Sequence, residues 1–294
     1  MDILVSLRGV SFMHGLVLAA AAAMTSAAVR ADVPDPLAQL EAAQQRIFVE
    51  VAPSVVYLTT KEGLGSGFIV SRDGLVLTNH HVVGKQTTVE VVMHDGRRLT
   101  GTVVERAKTA DLALVQLPLA QTRPVPLGDG DGVRVGAWAA AVGHGRGGIW
   151  TFNTGMVSNI YPVESGRPIF QTQIPLNQGS SGGPIVDRRG RVIGVVTAGI
   201  VDAQAINFGI KIDVALRELK LLSARCDCLV ITAPSGVPVF VDGVLRGAGP
   251  RVIAPIEPGR HEVSAVVREQ RRRVNVQFPE QRAVAIEADS ARSE

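Results

Sequence analysis

The amino-acid sequence predicts an all-β protein, and three observations carry that prediction. Short β-rich runs follow one another from Val51 to about Asp213 with no helical pattern between them. A second group of short runs and turns occupies residues 229–289 and predicts a smaller β unit. Strands this frequent favour antiparallel barrels or a sandwich over a parallel sheet with helical connections. Three turn signals lie between runs, where hairpins are expected: Asp73-Gly74, Asp95-Gly96 and Arg189-Gly190.

The individual strands are predicted from their β-branched and apolar residues and from the Gly, Pro and Asp residues that separate them. The clearest predicted strands are Ser54–Thr59, Gly67–Val70, Leu75–Thr78, Thr88–Val92, Leu99–Val104, Leu112–Leu117, Arg134–Val142, Trp150–Ser158, Ile169–Thr172, Arg191–Thr197 and Ile206–Ile212. The Pro-, Gly- and Asp-rich residues 124–131 are the expected seam between two barrels.

Two helices are predicted beside the strands. Apolar residues at helical spacing predict one short amphipathic helix over residues 37–48, whose apolar stripe could dock on its own domain or on another subunit. A second helix is predicted over residues 213–223, with Asp213 as its N-cap and an apolar face against the β domain. Residues 215–228 are therefore interpreted as a helix and linker between two domains.

Composition limits the class of protein. The chain has 294 residues, enough for about two domains, with 46% hydrophobic and 19% charged residues, which is typical of globular proteins. The net charge is only +3, and basic residues do not alternate with aromatic ones. Nucleic acid is therefore not an expected partner.

The N-terminus predicts export. Residues 1–31 combine the positive Arg8, the apolar run Leu16–Ala23 and small residues that allow cleavage after Ala28 or Ala31. The uncharged stretch after Arg8 is also long enough to span a bilayer, but its alanine content favours a cleaved signal peptide over a retained anchor. Both alternatives place the bulk of the protein in the periplasm or another extracytoplasmic space.

The two cysteines are Cys226 and Cys228, only two residues apart. A bridge at this spacing is geometrically unfavourable, so we expect two unpaired residues or a bridge between chains.

A glycine-rich turn, residues 176–184, holds the candidate nucleophile. Such a stretch suits neither a helix nor a strand interior, but it can expose one serine hydroxyl beside backbone N–H groups. A serine nucleophile also needs a histidine base and a carboxylate that orients the base. The chain supplies His80 and His81 before Val82, and Asp111 at the start of an apolar strand, in the order His, Asp, Ser.

Five segments together resemble the HtrA/Deg family of exported trypsin-like serine proteases. The resemblance covers roughly residues 36–214, the predicted protease domain. It implies a chymotrypsin-like double six-stranded β-barrel with His81 as base, Asp111 as orienting acid and Ser181 as nucleophile. The oxyanion hole would be the backbone N–H groups of Gly179 and Ser181. The matching segments are Gly65–Val70, Thr78–Val83, Asp111–Leu114, Thr154–Ser158 and Gly179–Pro184.

The same resemblance places a substrate pocket before the nucleophile and along the strand after it. None of the residues that would form its wall is charged, so we expect a small or medium aliphatic residue before the scissile bond. An extended, unfolded substrate would pair with the edge of the strand at Thr197–Gly199. The predicted wall consists of Pro175, Leu176, Thr197, Ala198, Gly199 and Asn207.

Departures from the family pattern leave a second function open. Gln173 and Gln178 replace residues that usually help order the loop before the nucleophile, so the oxyanion hole is expected to form only conditionally. Ser180 is a further departure that bears on whether the site rests in an active shape. The glycine-rich loop over residues 143–148 is also atypical and is predicted to be mobile. The alternative to an active enzyme is therefore a conditional or inactive peptide receptor or scaffold at the cell envelope.

The C-terminal unit departs further, because HtrA-like proteins commonly carry PDZ domains there. Residues 229–289 resemble a PEGA domain in Ala233–Gly243, Gly247–Pro250 and Ile256–His261, which implies a small β-sandwich. An envelope polymer or protein is its expected partner, although the basic run Arg271–Arg273 is better explained as a solvated strand edge.

The sequence thus predicts an exported serine endopeptidase that cleaves unfolded or damaged envelope proteins through an acyl-enzyme, with no cofactor and no metal ion. The family implies that the N-terminal helix could support a homo-oligomer. A third interpretation is an envelope-located interaction module in which proteolysis is secondary.

Overall fold

The computed structural model describes residues 35–61, 63–119, 121–145, 150–161, 169–199, 206–225 and 228–287. The predicted signal peptide over residues 1–31 lies outside the described residues, as do residues 146–149 of the glycine-rich loop. Contacts divide the chain into two compact units, Met1–Ala42 and Ala43–Glu294.

Six antiparallel strands close into a first barrel in the order β1-β2-β3-β6-β5-β4. Its interior is filled by alternate side chains of the strands, among them Val56, Leu58, Val76 and Val115, all of which are fully buried. The strands are β1 (Val55–Thr59), β2 (Leu64–Ile69), β3 (Leu75–Thr78), β4 (Thr88–Val92), β5 (Arg98–Ala107) and β6 (Leu112–Gln116).

A second barrel repeats this winding in the order β10-β11-β12-β9-β8-β7. The prediction of an all-β protein with two six-stranded barrels is therefore confirmed. One strand was missed, because β10 has three residues and begins with a proline, too short for a periodic pattern. The strands are β7 (Trp138–Gly143), β8 (Thr151–Ile160), β9 (Ile169–Thr172), β10 (Pro184–Val186), β11 (Val192–Gly199) and β12 (Asn207–Lys211).

An apolar cluster joins the two barrels. It contains Phe68 and Leu112 from the first barrel, and Val142 and Val195 from the second, all fully buried. The chain crosses between barrels through residues 117–137, which include the predicted seam. Because burial of such side chains is favourable by roughly 1.5–3 kcal/mol each, the cluster holds the barrels in one relative orientation.

Three helices accompany the barrels in the described chain. The first, α1 (Pro36–Val51), extends past the predicted bounds at its C-terminal end, where Ile47 and Val51 are buried. The four-residue α2 (His80–Val83) was not predicted. The third, α3 (Ile212–Arg225), begins directly at the end of β12. Asp213 therefore lies in the first turn of α3 and is not its N-cap, which corrects that expectation.

The C-terminal β unit consists of two sheets around a separate apolar core that includes Leu229, Val239, Val263 and Phe278. One sheet has the order β16-β13-β19, and the other has the order β15-β14-β17-β18. Asp242-Gly243 forms the hairpin between β14 and β15, with positive φ at both residues. The strands are β13 (Cys228–Thr232), β14 (Pro238–Val241), β15 (Val244–Ala248), β16 (Arg251–Pro255), β17 (Gly259–Val267), β18 (Gln270–Phe278) and β19 (Ala283–Ala285).

Two further expectations concern this region. Cys228 is disulfide-bonded, so the expectation of two unpaired cysteines is wrong. The basic run Arg271–Arg273 lies in β18, which is an outer strand of its sheet. In the described part of the chain, no helix is long and apolar enough to cross a membrane.

Candidate active site

The candidate base and its carboxylate come from the first barrel. His81 lies in α2, just after β3, and Asp111 lies in the turn just before β6. Because β3 and β6 pair antiparallel with Thr78 opposite Ala113, the end of one strand faces the start of the other. The register alone therefore brings His81 and Asp111 together.

Asp111 binds His81 at three points. The imidazole Nδ1 lies 2.8 Å from Oδ2 and 3.0 Å from Oδ1, and the backbone N–H of His81 donates to Oδ1 over 3.1 Å. The side-chain amide of Asn79 donates to the Asp111 carbonyl oxygen over 2.9 Å. Asp111 has a positive φ of 53°, a conformation that Asp and Asn tolerate better than most residues. These contacts hold the ring with Nε2 directed away from the carboxylate.

The environment of Asp111 keeps its carboxyl ionised. Burial raises its pKa, but hydrogen bonds and electrostatic attraction from His81, with a hydrogen bond from the Thr197 hydroxyl, outweigh burial and lower the pKa overall. The Thr197 bond to Oδ2 is 2.9 Å long. An ionised carboxylate can orient the imidazole and stabilise the imidazolium form.

The candidate nucleophile lies in the turn between β9 and β10. Ser181 is half-buried, and its carbonyl oxygen accepts a 2.8 Å hydrogen bond from the Ser66 N–H. The turn packs so closely against the first barrel that a Cβ on Gly182 would lie 2.1 Å from the Ser66 carbonyl oxygen and 2.3 Å from the Thr78 hydroxyl. Gly182 also has a φ of +83°, so both space and conformation require glycine there. Ser181 is thereby placed beside the segment that leads into His81.

The backbone N–H groups of this turn fall into two sets. Those of Ser180, Gly182 and Gly183 donate to backbone carbonyl oxygens over 2.9–3.0 Å. Those of Gly179 and Ser181 have no acceptor in the described part of the chain. These are the two N–H groups that the family resemblance would place in an oxyanion hole.

Ser180, the neighbour of the candidate nucleophile, has a different environment. Its side chain is buried, and its hydroxyl oxygen accepts a 3.4 Å hydrogen bond from the Asn177 N–H. The Ser180 hydroxyl is therefore occupied within its own loop. In the described residues, no hydrogen bond joins Ser181 Oγ to His81, whose hydrogen bonds all run to Asp111. Catalytic contacts of this kind are often long in the absence of substrate.

The residues of the predicted substrate wall lie on two sides of the turn. Pro175 is exposed and Leu176 is half-buried, both in the segment before the nucleophile. Asn207 begins β12 and donates from Nδ2 to the Ile174 carbonyl oxygen over 2.8 Å, which ties that segment to the sheet. Ala198 and Gly199 end β11, where Gly199 pairs with Asn207. None of these residues carries a charge.

The sequence did not predict the contacts that Thr197, Ser66 and His144 make at this site. Thr197 was expected to line the substrate wall, but its hydroxyl contacts Asp111. Ser66 and His144 hydrogen-bond each other and contact the Gly179 segment. The two glycines that flank Ser66 are a sequence signal for a closely packed segment. In the structure, a Cβ on Gly65 would lie 2.5 Å from the Val82 side chain. His144 has no sequence signal, because a histidine in a glycine-rich loop is expected to be exposed.

Comparison with known proteins relates the chain to serine proteases. Residues 65–195 match the family model of the trypsin-like peptidase domain. Over 171 residues the chain is 41% identical to HhoA of Synechocystis, covering 55% of this chain and 43% of HhoA. It is 35% identical over 167 residues to a Hahella chejuensis protein named as a probable periplasmic serine endoprotease DegP-like, covering 55% of this chain and 36% of that protein. The chain thus spans less than half of the length of either relative.

Solved structures show the same fold. The HtrA-type protease AlgW with a tripeptide has a TM-score of 0.59 and 23% identity, covering 80% of this chain and 96% of AlgW. Deg5 has a TM-score of 0.52 and 32% identity, covering 60% of this chain and 92% of Deg5. With the family-model match, the two barrels and the sequence identity to these proteins, the chain belongs to the HtrA/Deg-like family of trypsin-type serine proteases.

Proposed function

We propose that the protein is an exported serine endopeptidase that cleaves extended segments of unfolded or damaged envelope proteins. One observation carries the proposal: the His81–Asp111 pair lies beside a turn that holds Ser181 and leaves the N–H groups of Gly179 and Ser181 without an acceptor in the described chain. A base, an orienting acid, a nucleophile and two anion donors are the parts that acyl transfer needs.

In this mechanism, Ser181 Oγ attacks the scissile carbonyl carbon while His81 Nε2 takes the hydroxyl proton. The resulting oxyanion accepts hydrogen bonds from the Gly179 and Ser181 N–H groups, and Asp111 stabilises the imidazolium. Collapse of the tetrahedral species breaks the C–N bond, and His81 returns its proton to the leaving amine. Water then hydrolyses the Ser181 ester with His81 as base, which releases the acid product and restores the serine.

The substrate side of the proposal rests on the strand that borders the site. An extended polypeptide would pair with β11 at Thr197–Gly199 through main-chain hydrogen bonds, which give affinity without sequence preference. The uncharged side chains of Pro175, Leu176 and Asn207 favour an aliphatic residue before the scissile bond. The AlgW structures hold a tripeptide or a decapeptide, which supports a peptide ligand for this fold. A peptide library cleaved mainly after Lys or Arg would contradict this preference.

Location and partners belong to the same proposal. A signal peptide in residues 1–31 would export the chain, and several relatives are named as periplasmic endoproteases. A PEGA-like identity for residues 229–289 would give the protein an envelope polymer or protein as a second partner. Assembly into a homo-oligomer through the N-terminal helix is consistent with the family.

Covalent labelling by a peptidyl phosphonate tests the enzyme directly, because the probe requires nucleophile, base and oxyanion hole together. We expect labelling of the wild-type protein, loss of labelling in Ser181→Ala and His81→Ala, and retained labelling in Ser180→Ala as the matched control. Peptide binding without labelling of the wild-type protein would instead support the receptor alternative.

A further inference from the structure

The carbonyl oxygen of Gly179 is held by a hydroxyl group from the other barrel. Ser66 lies in β2, is fully buried, and donates from Oγ to the Gly179 carbonyl oxygen over 2.7 Å. The N–H of Ser180, which belongs to the same peptide plane, donates to the Asn177 carbonyl oxygen over 2.9 Å. Both polar ends of the Gly179–Ser180 peptide are therefore anchored.

His144 completes this anchor. Its backbone N–H donates to Ser66 Oγ over 3.1 Å, and its ring Nδ1 lies 3.1 Å from the same oxygen. Because the single hydroxyl hydrogen of Ser66 is given to Gly179, the hydroxyl can only accept from His144. The imidazole must then carry its proton on Nδ1. Ser66 Oγ donates one hydrogen bond, to Gly179, and accepts two, from the backbone N–H and the Nδ1–H of His144.

The surroundings of the His144 ring keep it neutral. The residue is 1% exposed, and the rings of Tyr57 and Trp150 have their centroids 5.0 and 4.9 Å from the imidazole centroid. Burial lowers the pKa of His144 to about 4. In this tautomer Nε2 carries a lone pair and no proton. It is buried without a hydrogen-bond partner in the described chain.

Gly179 is the residue that most needs such an anchor. Its φ is +98°, and a Cβ at this position would lie 2.3 Å from the His144 carbonyl oxygen, so glycine is required. Glycine is also the residue freest to rotate about φ and ψ. Rotation about these bonds in Gly179 would turn the preceding peptide, which carries the Gly179 N–H group, away from a bound substrate. The Ser66 contact to the Gly179 carbonyl oxygen fixes the peptide on one side of this rotation.

We propose that Ser66 and His144 are positioning residues for the oxyanion hole, which hold the Gly179–Ser180 peptide so that the Gly179 N–H faces the substrate. The inference rests on the proposed peptidase function. Both side chains are buried, so neither is expected to touch substrate. Their effect should appear in the transition state, where the oxyanion develops, and should leave substrate binding unchanged.

Ser66→Ala and His144→Leu remove the two donors, and His144→Asn is the matched control because its amide nitrogen can occupy the position of Nδ1. We expect kcat for a fluorogenic peptide to fall about 10- to 100-fold in Ser66→Ala and His144→Leu, less than the roughly 10²–10³-fold loss of a direct donor. KM should change less than threefold, and His144→Asn should retain most of the wild-type kcat.

Binding and amide measurements separate this inference from the proposed function. In a Ser181→Ala background, adding Ser66→Ala should leave the Kd for a substrate peptide unchanged, but should shift the NMR amide signal of Gly179. Unchanged kcat in both Ser66→Ala and His144→Leu, or an unmoved Gly179 amide signal, would overturn the inference.

If the wild-type protein neither turns over peptide nor reacts with the phosphonate, the peptidase proposal fails, and the Gly179 signal alone decides the positioning role. If Ser66→Ala does not fold, His144→Leu and His144→Asn carry the comparison.

Discussion

The hydroxyl of Thr197 donates a 2.9 Å hydrogen bond to Oδ2 of Asp111 and so joins the second barrel to the carboxylate of the first. The same oxygen lies 2.8 Å from Nδ1 of His81. Thr197, in the second barrel, thus helps to keep the Asp111 carboxylate of the first barrel ionised and oriented.

Replacing Thr197 with valine keeps the shape of the side chain but removes this donor. A hydrogen bond to a charged group contributes roughly 1.5–3 kcal/mol, so kcat/KM should fall at least about tenfold, while Thr197→Ser should remain near wild type. Steady-state kinetics on a fluorogenic peptide measure the effect. Equal activity of the valine and serine variants would show that the contact does not matter to catalysis.

Asp111→Asn tests the orienting carboxylate with little structural change. Asparagine tolerates the φ of 53° at this position, whereas alanine would add backbone strain. Loss of the carboxylate should lower kcat by roughly 10⁴-fold through the wrong histidine tautomer and a less stable imidazolium. Thermal unfolding of the variant should stay close to that of the wild-type protein. A variant that keeps a tenth of the wild-type kcat would contradict the assignment.

Burial of His144 should make stability depend on pH in a defined direction. Its pKa falls from 6.5 to about 4 on folding, so between these pH values the unfolded chain binds a proton that the folded chain does not. The free energy of unfolding should therefore decrease as pH falls through this window, by roughly 2–3 kcal/mol at pH 4.5 from this residue. Urea unfolding of Ser181→Ala with and without His144→Asn, at pH 7 and 4.5, measures this term. An equal pH dependence of the two proteins would refute it.

His261 in the C-terminal β unit should show the opposite dependence. Its Nδ1 lies 2.6 Å from Asp242 Oδ2, and its Nε2 lies 2.8 Å from the Glu257 carbonyl oxygen, so the doubly protonated ring satisfies both acceptors. The Asp242 hydrogen bond raises the pKa of His261 above its ordinary value, against the opposing effect of burial. This stabilisation should be fully present below pH 6.5 and be lost as pH rises through the raised pKa.

His261→Gln should accordingly lower the unfolding midpoint more at pH 6 than at pH 9. Asp242→Asn is the matched control, because it removes the charge on the other side of the same contact. A midpoint difference that is the same at both pH values would argue against an ionised His261.

Much of this protein follows from local sequence. Alternating β-rich runs and turns such as Asp242-Gly243 predict the strands, since strand pairing and tight turns depend on residues close together in the chain. The segments around His81, Asp111 and Ser181 likewise lead to the proposed chemistry, because histidine, aspartate and serine are the residue types that this kind of acyl transfer uses. The short β10 and the N-terminal bounds of α3 escaped this reasoning, since a proline and a direct strand-to-helix connection leave no periodic signal.

Only the tertiary structure decided which groups surround those residues. Ser66 and Gly179 are 113 residues apart, and Thr197 and Asp111 are 86 apart, so no local pattern relates them. Their contacts exist because the apolar cluster between the barrels fixes one relative orientation of two separately wound sheets. The burial of His144, and with it the lowered pKa, follows from that same packing. The residue types of the candidate site are determined by the sequence. The contacts that hold those residues in place depend on how the two barrels pack against each other.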